Sequence, residues 1–310
     1  MAKHLLHIGF LLAILTLLLK AAFMPPRMRA LLKPGESASL GDGVLVLKAF
    51  NVPKYPSGNP CQYVSDVHMV RVGGRDADGT MRVPIADHAR ISVNHPMRWD
   101  GWWIYQNSYD AVKESYTVLE AVRDPFLPLA TLAGALLLAG AAWLCRRGVF
   151  AEPGDSAGGV NALVRFMAAT MTVMLPLWII GRALLTKEMV PALQCPLLVP
   201  HVGAYLVSYA LLIFAAFGIG VRLVPFGFFL MTLALVLGAV WGKICWGDWW
   251  QYDPKEMWSL ATWLTFAAYF HFRNRPVVAK WLLRVGAVLI LLTLTWVNFA
   301  RIFKGLHSYV

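Results

Sequence analysis

Eight histidines and one dense aromatic stretch are where this 310-residue chain could do chemistry. The histidines are His4, His7, His68, His88, His95, His201, His271 and His307. The stretch runs from Trp246 to His271 and reads WGDWWQYDPKEMWSLATWLTFAAYFH. It gathers Trp246, Trp249, Trp250 and Tyr252 ahead of a charged turn, Asp253-Pro254-Lys255-Glu256, and then runs into an apolar segment. One or two Trp at the start of a membrane helix are ordinary, because indole suits the headgroup zone. A cluster wrapped around a charged turn is instead a shelf of aromatic faces, suited to a large flat ligand. Haem is such a ligand, and its iron is held by neutral imidazoles on opposite faces of the ring, inside apolar and aromatic walls.

Something must bring histidines to that shelf, and the composition says what. The chain is 58% hydrophobic and 15% charged, well below the roughly 25% charge of soluble proteins. Seven runs are long and apolar enough to read as spans, at about 5–23, 126–145, 162–185, 201–220, 226–244, 257–272 and 281–300. The first lacks a small-x-small cleavage site and reads as a retained helix rather than a signal peptide. Between spans one and two lies a polar region, 24–124. Its segments Val44–Phe50, Tyr63–Val72, Met81–Ile85 and Ile91–Val93 have strand character, and Asp78-Gly79 is a hairpin signal. The expected fold is an α-helical polytopic membrane protein of about seven spans, with a small β-rich extracytoplasmic domain between spans one and two.

Basic residues orient the spans. Arg146 and Arg147 follow span two, Arg222 lies between spans four and five, and Arg273, Arg275, Lys280 and Arg284 lie between spans six and seven. Cytoplasmic loops carry such an excess, so the N-terminus is expected inside and the β-rich domain outside. His201, His307 and the aromatic shelf then share the outer face, which makes His201 and His307 the candidate axial pair for haem iron. His7 and His271 share the inner face and form a second candidate pair, since ionisable groups within spans are functional candidates by default. His4, His68, His88 and His95 read as capping or interfacial residues.

Arg182, Lys187, Lys243, Lys255, Arg301 and Lys304 fall on the outer side against the charge rule, and anionic ligand groups are the expected reason for some of them. Lys255, Arg301 and Lys304 are candidates for haem propionates. Asp253, where a helix begins, reads as a cap as well as a shelf residue.

The net charge of +11 sits at helix ends: 24–124 holds 12 Lys/Arg against 11 Asp/Glu. No soluble basic face is available for nucleic acid, and no nucleic-acid partner is expected. Cys61, Cys145, Cys195 and Cys245 form neither C-x-x-C nor C-x-x-C-H. That excludes a c-type cytochrome and a thioredoxin-like reductase, and the cysteines read as isolated buried thiols.

These residues resemble a known family. WGDWWQYDPKEMWSLATW followed by YFHFR is similar to the "WWD" domain of haem-handling proteins, and most similar to the CcsA type of System II cytochrome c biogenesis. PALQCPLLVPHV around His201 and KGLHSYV around His307 resemble the flanking histidine motifs of that family. The first 145 residues resemble the partner ResB (CcsB) type, through YPSGNPCQYVSDV, ISVNHPMRWDGWWIYQNSYD and HLLHIGFLLAIL, which carries His7. The chain therefore resembles a compact fusion: a ResB-like region over 1–145, a cytoplasmic linker over 146–160 and a CcsA-like WWD domain over 161–310. The family usually has Trp where this chain has Tyr252.

The resemblance implies an integral protein of the bacterial cytoplasmic membrane with its haem site on the periplasmic face. Haem b would be received at His7 and His271. It would pass to His201 and His307, with Trp246, Trp249, Trp250, Tyr252 and Asp253 around the ring. Covalent attachment to the C-x-x-C-H thiols of apocytochrome c would follow, as in a holocytochrome c synthase (cytochrome c haem lyase). A further ResB-type subunit, thiol-reducing proteins and membrane lipid are the other implied partners. Two other functions fit a membrane bis-histidine protein: haem delivery without ligase activity, and a b-type haem electron-transfer subunit. The second normally stacks its ligand pairs within spans, without a Trp-rich loop.

Overall fold

The computed structural model describes residues 1–71, 85–150, 160–184 and 188–299. Seven α-helices run in chain order: α1 (Ala2–Phe23), α2 (Leu127–Cys145), α3 (Val160–Leu184), α4 (Leu198–Ala216), α5 (Val224–Trp246), α6 (Pro254–Phe272) and α7 (Pro276–Phe299). They correspond one to one with the seven expected spans. Among the described residues, six are long and apolar enough to cross a bilayer, as an integral membrane protein requires. The exception is α6, whose first turn carries Lys255 and Glu256. Past α2 the chain continues into a π-helical turn, Arg146–Phe150.

Between α1 and α2 the chain forms eight strands: β1 (Met28–Leu32), β2 (Ser37–Leu40), β3 (Gly43–Asn51), β4 (Val64–Arg71), β5 (Ile85–Ser92), β6 (Met97–Trp99), β7 (Trp102–Tyr109) and β8 (Thr117–Arg123). They make two antiparallel sheets, ordered β1-β8-β7-β6 and β2-β3-β4-β5. The expected β3 and β4 are there, and Ile91–Val93 overlaps the end of β5, which stops at Ser92. β1, β2, β6, β7 and β8 were not anticipated. β6 and β7 are Trp- and Tyr-rich, and that aromatic run masks the alternation by which a strand is recognised. The Asp78-Gly79 signal and nearly all of Met81–Ile85 lie outside the described residues. Alternation drives the packing where it is clear: β4 buries Ser65, Val67 and Met69 and turns the residues between them outward. Both sheets contribute to one core, including Leu47, Met69, Ile91, Ile104 and Leu119.

Helix ends follow local sequence. Pro25 and Pro26 close α1, because the residue before a proline leaves the α region. α5 stops at Gly247, which adopts φ +83 as a left-handed cap. α6 starts on a capping box: the Asp253 carboxylate accepts from Lys255 N at 2.9 Å, and Glu256 reaches back to Asp253 N. α1 and α2 cross nearly backbone to backbone. A Cβ on Gly9 would lie 2.9 Å from Leu137 N, and one on Gly140 would lie 2.9 Å from Leu6 N.

The sheets sit on the ends of α1, α2 and α5 through one ion cluster. Lys243 of α5, with a side chain 5% exposed, reaches Asp124 at 2.8 Å, and Lys20 of α1 reaches the same carboxylate at 3.1 Å. Burial would raise the Asp124 pKa, but the two ammoniums outweigh it and hold the group below its usual value. A depressed carboxylate contributes stability above its unfolded pKa and loses it as pH falls through the folded value. The Asp124 contribution is therefore full above about pH 4 and is lost in stronger acid. Asp124→Asn strands a buried lysine and should cost about 3 kcal/mol or more. Thermal unfolding of the detergent-solubilised protein at pH 7 and at pH 3 checks both: the variant should melt earlier at pH 7, with a narrower gap at pH 3.

Candidate functional site

His201 lies in the first turn of α4, facing α5. Its Nδ1 is 2.8 Å from the Ala234 carbonyl oxygen. A carbonyl can only accept, so Nδ1 carries the proton and the imidazole lone pair belongs to Nε2, the tautomer that suits a metal ligand. The approach is close because residue 238 is glycine. One helical turn beyond Ala234 on the same face, a Cβ there would stand 2.6 Å from His201 Cε1. Tyr205 and Trp241 meet the ring edge to face, with centroids 5.2 and 5.8 Å away.

His201 opens into a cavity of about 230 Å³ walled by Tyr205, Trp241, Trp249, Trp250, Lys255 and Glu256. α7 closes it through Thr293 and Leu294, on the helix that leads toward His307. His307 itself, Arg301, Lys304 and Lys187 lie outside the described residues, as does the side chain of Arg182.

The shelf is a loop from Gly247 to Asp253 between α5 and α6. Trp246 packs on Trp241 with centroids 6.0 Å apart. Trp249 and Trp250 face the cavity, and the Trp249 indole N–H is buried without a partner in the protein. Tyr252 is held at φ +56, a left-handed conformation uncommon for an aromatic residue, and is 61% exposed. Asp253 points into its own helix cap, which is the structural half of its dual expectation.

Asp248 anchors the loop. Its carboxylate takes Lys20 at 2.6 Å and also binds Arg27, which in turn binds Glu120 of β8 at 2.9 Å. Tyr105 of β7 donates to the Lys243 carbonyl at 3.0 Å. α1, both strands and α5 thus converge on the loop.

At the other end of the helices, His7 of α1 and His271 of α6 meet with ring centroids 5.3 Å apart. A metal between two imidazole nitrogens, at about 2 Å each, sets ring centres roughly 6 Å apart, so little movement separates this pair from a ligating one. His7 Nδ1 is 2.5 Å from the Lys3 carbonyl, which again assigns the lone pair to Nε2. The pair faces a cavity of about 330 Å³.

A third cavity, of about 340 Å³, lies between the two sites and is lined by apolar residues of α1, α2, α5 and α6. It shares Phe10 and Trp263 with the His7–His271 cavity and Trp249 and Trp250 with the His201 cavity. Phe10 and Trp263 stack with centroids 5.7 Å apart, and Trp263 is fixed by a hydrogen bond to Thr232.

Residues 218–307 match the family model described as Cytochrome C assembly protein, and residues 5–119 match that of the ResB-like family. A cytochrome c biogenesis protein CcsA of Prochlorococcus marinus is 43% identical over 95 residues, 28% of each chain. The Guillardia theta protein of the same name is 44% identical over 95 residues, covering 28% of this chain and 30% of that one. That of Synechocystis sp. is 42% identical over 96 residues, covering 29% and 28%. The chain joins a ResB-like segment to a CcsA-like segment. It spans less than a third of the length of those CcsA relatives.

The CcsA-like match takes in the Trp loop, His271 and His307. His201 precedes it, so its place in the site rests on geometry. The ResB-like match contributes His7 and most of the sheets. Between them the two segments supply both ends of the cavity run. Sequence reasoning missed Lys20, Arg27, Asp124, Asp248 and Gly238. It expected ligand anions as the reason for some of the out-of-place cations; Lys243 is not one of these, being paired internally with Asp124 and with the Gly247 carbonyl at 3.0 Å. Asp248 stands inside the quoted aromatic motif and was the one available signal. Partners of Lys20 and Arg27 lie more than 90 residues away, which no local pattern reports.

Gly238→Ala should displace His201 at an overpacking cost of about 1–3 kcal/mol. Its checkable signature is a lower melting temperature in detergent, with the sheet domain's protection from proteolysis unchanged.

Proposed function

We propose that this integral membrane protein binds haem b at two histidine sites on opposite ends of its helices and presents it for attachment to apocytochrome c. The observation that carries the reading is the run of three cavities with shared walls, which has the His7–His271 pair at one end and His201 beside the Trp loop at the other. The matches to the ResB-like and Cytochrome C assembly family models support it. Arg147 and Arg273 gather at the His7 end, which favours that end as cytoplasmic and the sheets and Trp loop as periplasmic. His307 completes the outer pair with His201.

In attachment, a thiol S–H of the apocytochrome adds across a haem vinyl group. The S–C bond forms, the vinyl C=C becomes single, and the thiol proton ends on the vinyl carbon, with no net oxidation. The substrate cysteines must arrive reduced, which assigns a part to thiol-reducing partners. The chain's own contribution is positioning. His201 and His307 hold the iron, Trp249, Trp250 and Tyr252 present flat faces to the ring, and the exposed edge meets the incoming peptide. The histidine of the C-x-x-C-H motif then replaces one protein imidazole, which releases the product.

The test is spectroscopic. Purified wild type should show a haem spectrum. His201→Gly and His307→Gly should each lose most haem from the outer site and regain it with added imidazole. His271→Gly should lower haem at both sites, because supply is cut. A haem-free wild type overturns the proposal. Co-expression with an apocytochrome decides whether attachment occurs, and bound haem without covalent product would favour delivery alone.

A further inference from the structure

The cavity at His7 and His271 has two chemically different ends. Toward the middle of the helices it is walled by Leu6, Phe10, Phe228, Trp263 and Leu264. Toward the N-terminus of α1 it is walled by Lys3 and Arg273. The same two cations line an adjoining cavity of about 360 Å³, together with His4, Arg147 and the N-terminal Met1. Among the described residues that line either cavity there is no Asp or Glu. Lys3 and Arg273 are both exposed on the protein surface, on α1 and just past α6. The charges therefore rim one side of the imidazole pair, and the other side leads into the apolar cavity behind Phe10 and Trp263.

Haem has the same polarity. One edge carries two propionates and the opposite edge is hydrocarbon with the vinyl groups. Iron between His7 and His271 fixes the ring centre but leaves rotation about the iron axis undetermined. A carboxylate turned toward Phe10 and Trp263 would be desolvated without a partner, at a cost of several kcal/mol. Turned the other way, it lies on the side of Lys3 and Arg273, whose charged N–H groups are the donors for charge-assisted hydrogen bonds to a carboxylate.

We propose that Lys3 and Arg273 are the propionate site of the inner haem, and that they set its rotation so that the vinyl edge points at Phe10–Trp263. This rests on the reading of the His7–His271 pair as a haem site. It has a consequence for transfer: haem moving along the cavities travels vinyl edge first, and the edge that must react with thiols arrives foremost at the Trp loop.

The test uses the full chain carrying His201→Gly, so that bound haem reports the inner pair, titrated in detergent with haemin and with haemin dimethyl ester. The parent should prefer the diacid by about tenfold, the scale of two partly exposed ion pairs. Lys3→Gln with Arg273→Gln should bring the diacid down to the ester's affinity and leave ester binding where it was, which shows the variant still folds. Lys3→Arg with Arg273→Lys should keep the preference. Equal binding of the two probes by the parent, or an undiminished preference in the double glutamine variant, overturns the orientation while leaving the haem site intact. Uptake of neither probe overturns the haem reading itself, and the orientation with it.

Discussion

A lysine and an aspartate buried where three parts of the chain meet set the geometry of everything above the helices. Lys243 comes from the last turn of α5, Asp124 from the turn into α2, and Lys20 joins them from the end of α1. Ions removed from water are costly, and such a pair is tolerated only where each charge finds several partners. Here each does: Asp124 takes two ammoniums, Lys243 also donates to the Gly247 carbonyl, and Lys20 extends the chain of charges to Asp248. What the pair contributes most is position. It ties the entrance of α2, the exit of α5 and the sheets to one point, and the aromatic loop begins at that point.

The functional geometry follows from this junction and from a few missing side chains. The glycine crossing of α1 and α2 lets the two helices approach at backbone distance, which carries His7 into place against His271 at the far end. Gly238 leaves the notch that receives the His201 ring beside the Ala234 carbonyl. At both sites a backbone carbonyl fixes the imidazole tautomer: for His201 it is Ala234 on the neighbouring helix, and for His7 it is Lys3, one turn back on its own helix. Between the sites the walls are apolar and aromatic, and charge is confined to the two ends. Such a run suits the amphipathic planar ligand proposed for it, with a ligating imidazole at each end and charge beyond.

The Trp loop combines rigidity and exposure. Asp248 is clamped by Lys20 and Arg27, and the capping box fixes the start of α6. Between these anchors Tyr252 adopts a left-handed backbone and turns its ring outward. A loop restrained at both ends and open in the middle can present a flat face without collapsing onto it. The clamp on Asp248 comes from Lys20 and Arg27 in the ResB-like part of the chain while the aromatic faces come from the CcsA-like part, which is a physical reason for the two to be joined.

The seven helices were legible in the sequence because apolar length is a local property, and the capping residues marked where α6 begins. The aromatic motif and the histidines are what suggested haem in the sequence, since those residue types have few other uses at such density. The sheets were half legible. β3 and β4 alternate cleanly, whereas β6 and β7 are so aromatic that the period disappears. What only the tertiary structure decided was which groups meet: Asp248 with Lys20 and Arg27, Lys243 with Asp124, Gly238 with His201, His7 with His271. Each pairing joins residues far apart in sequence. Its energy depends on burial and distance, quantities that exist only once the chain has folded.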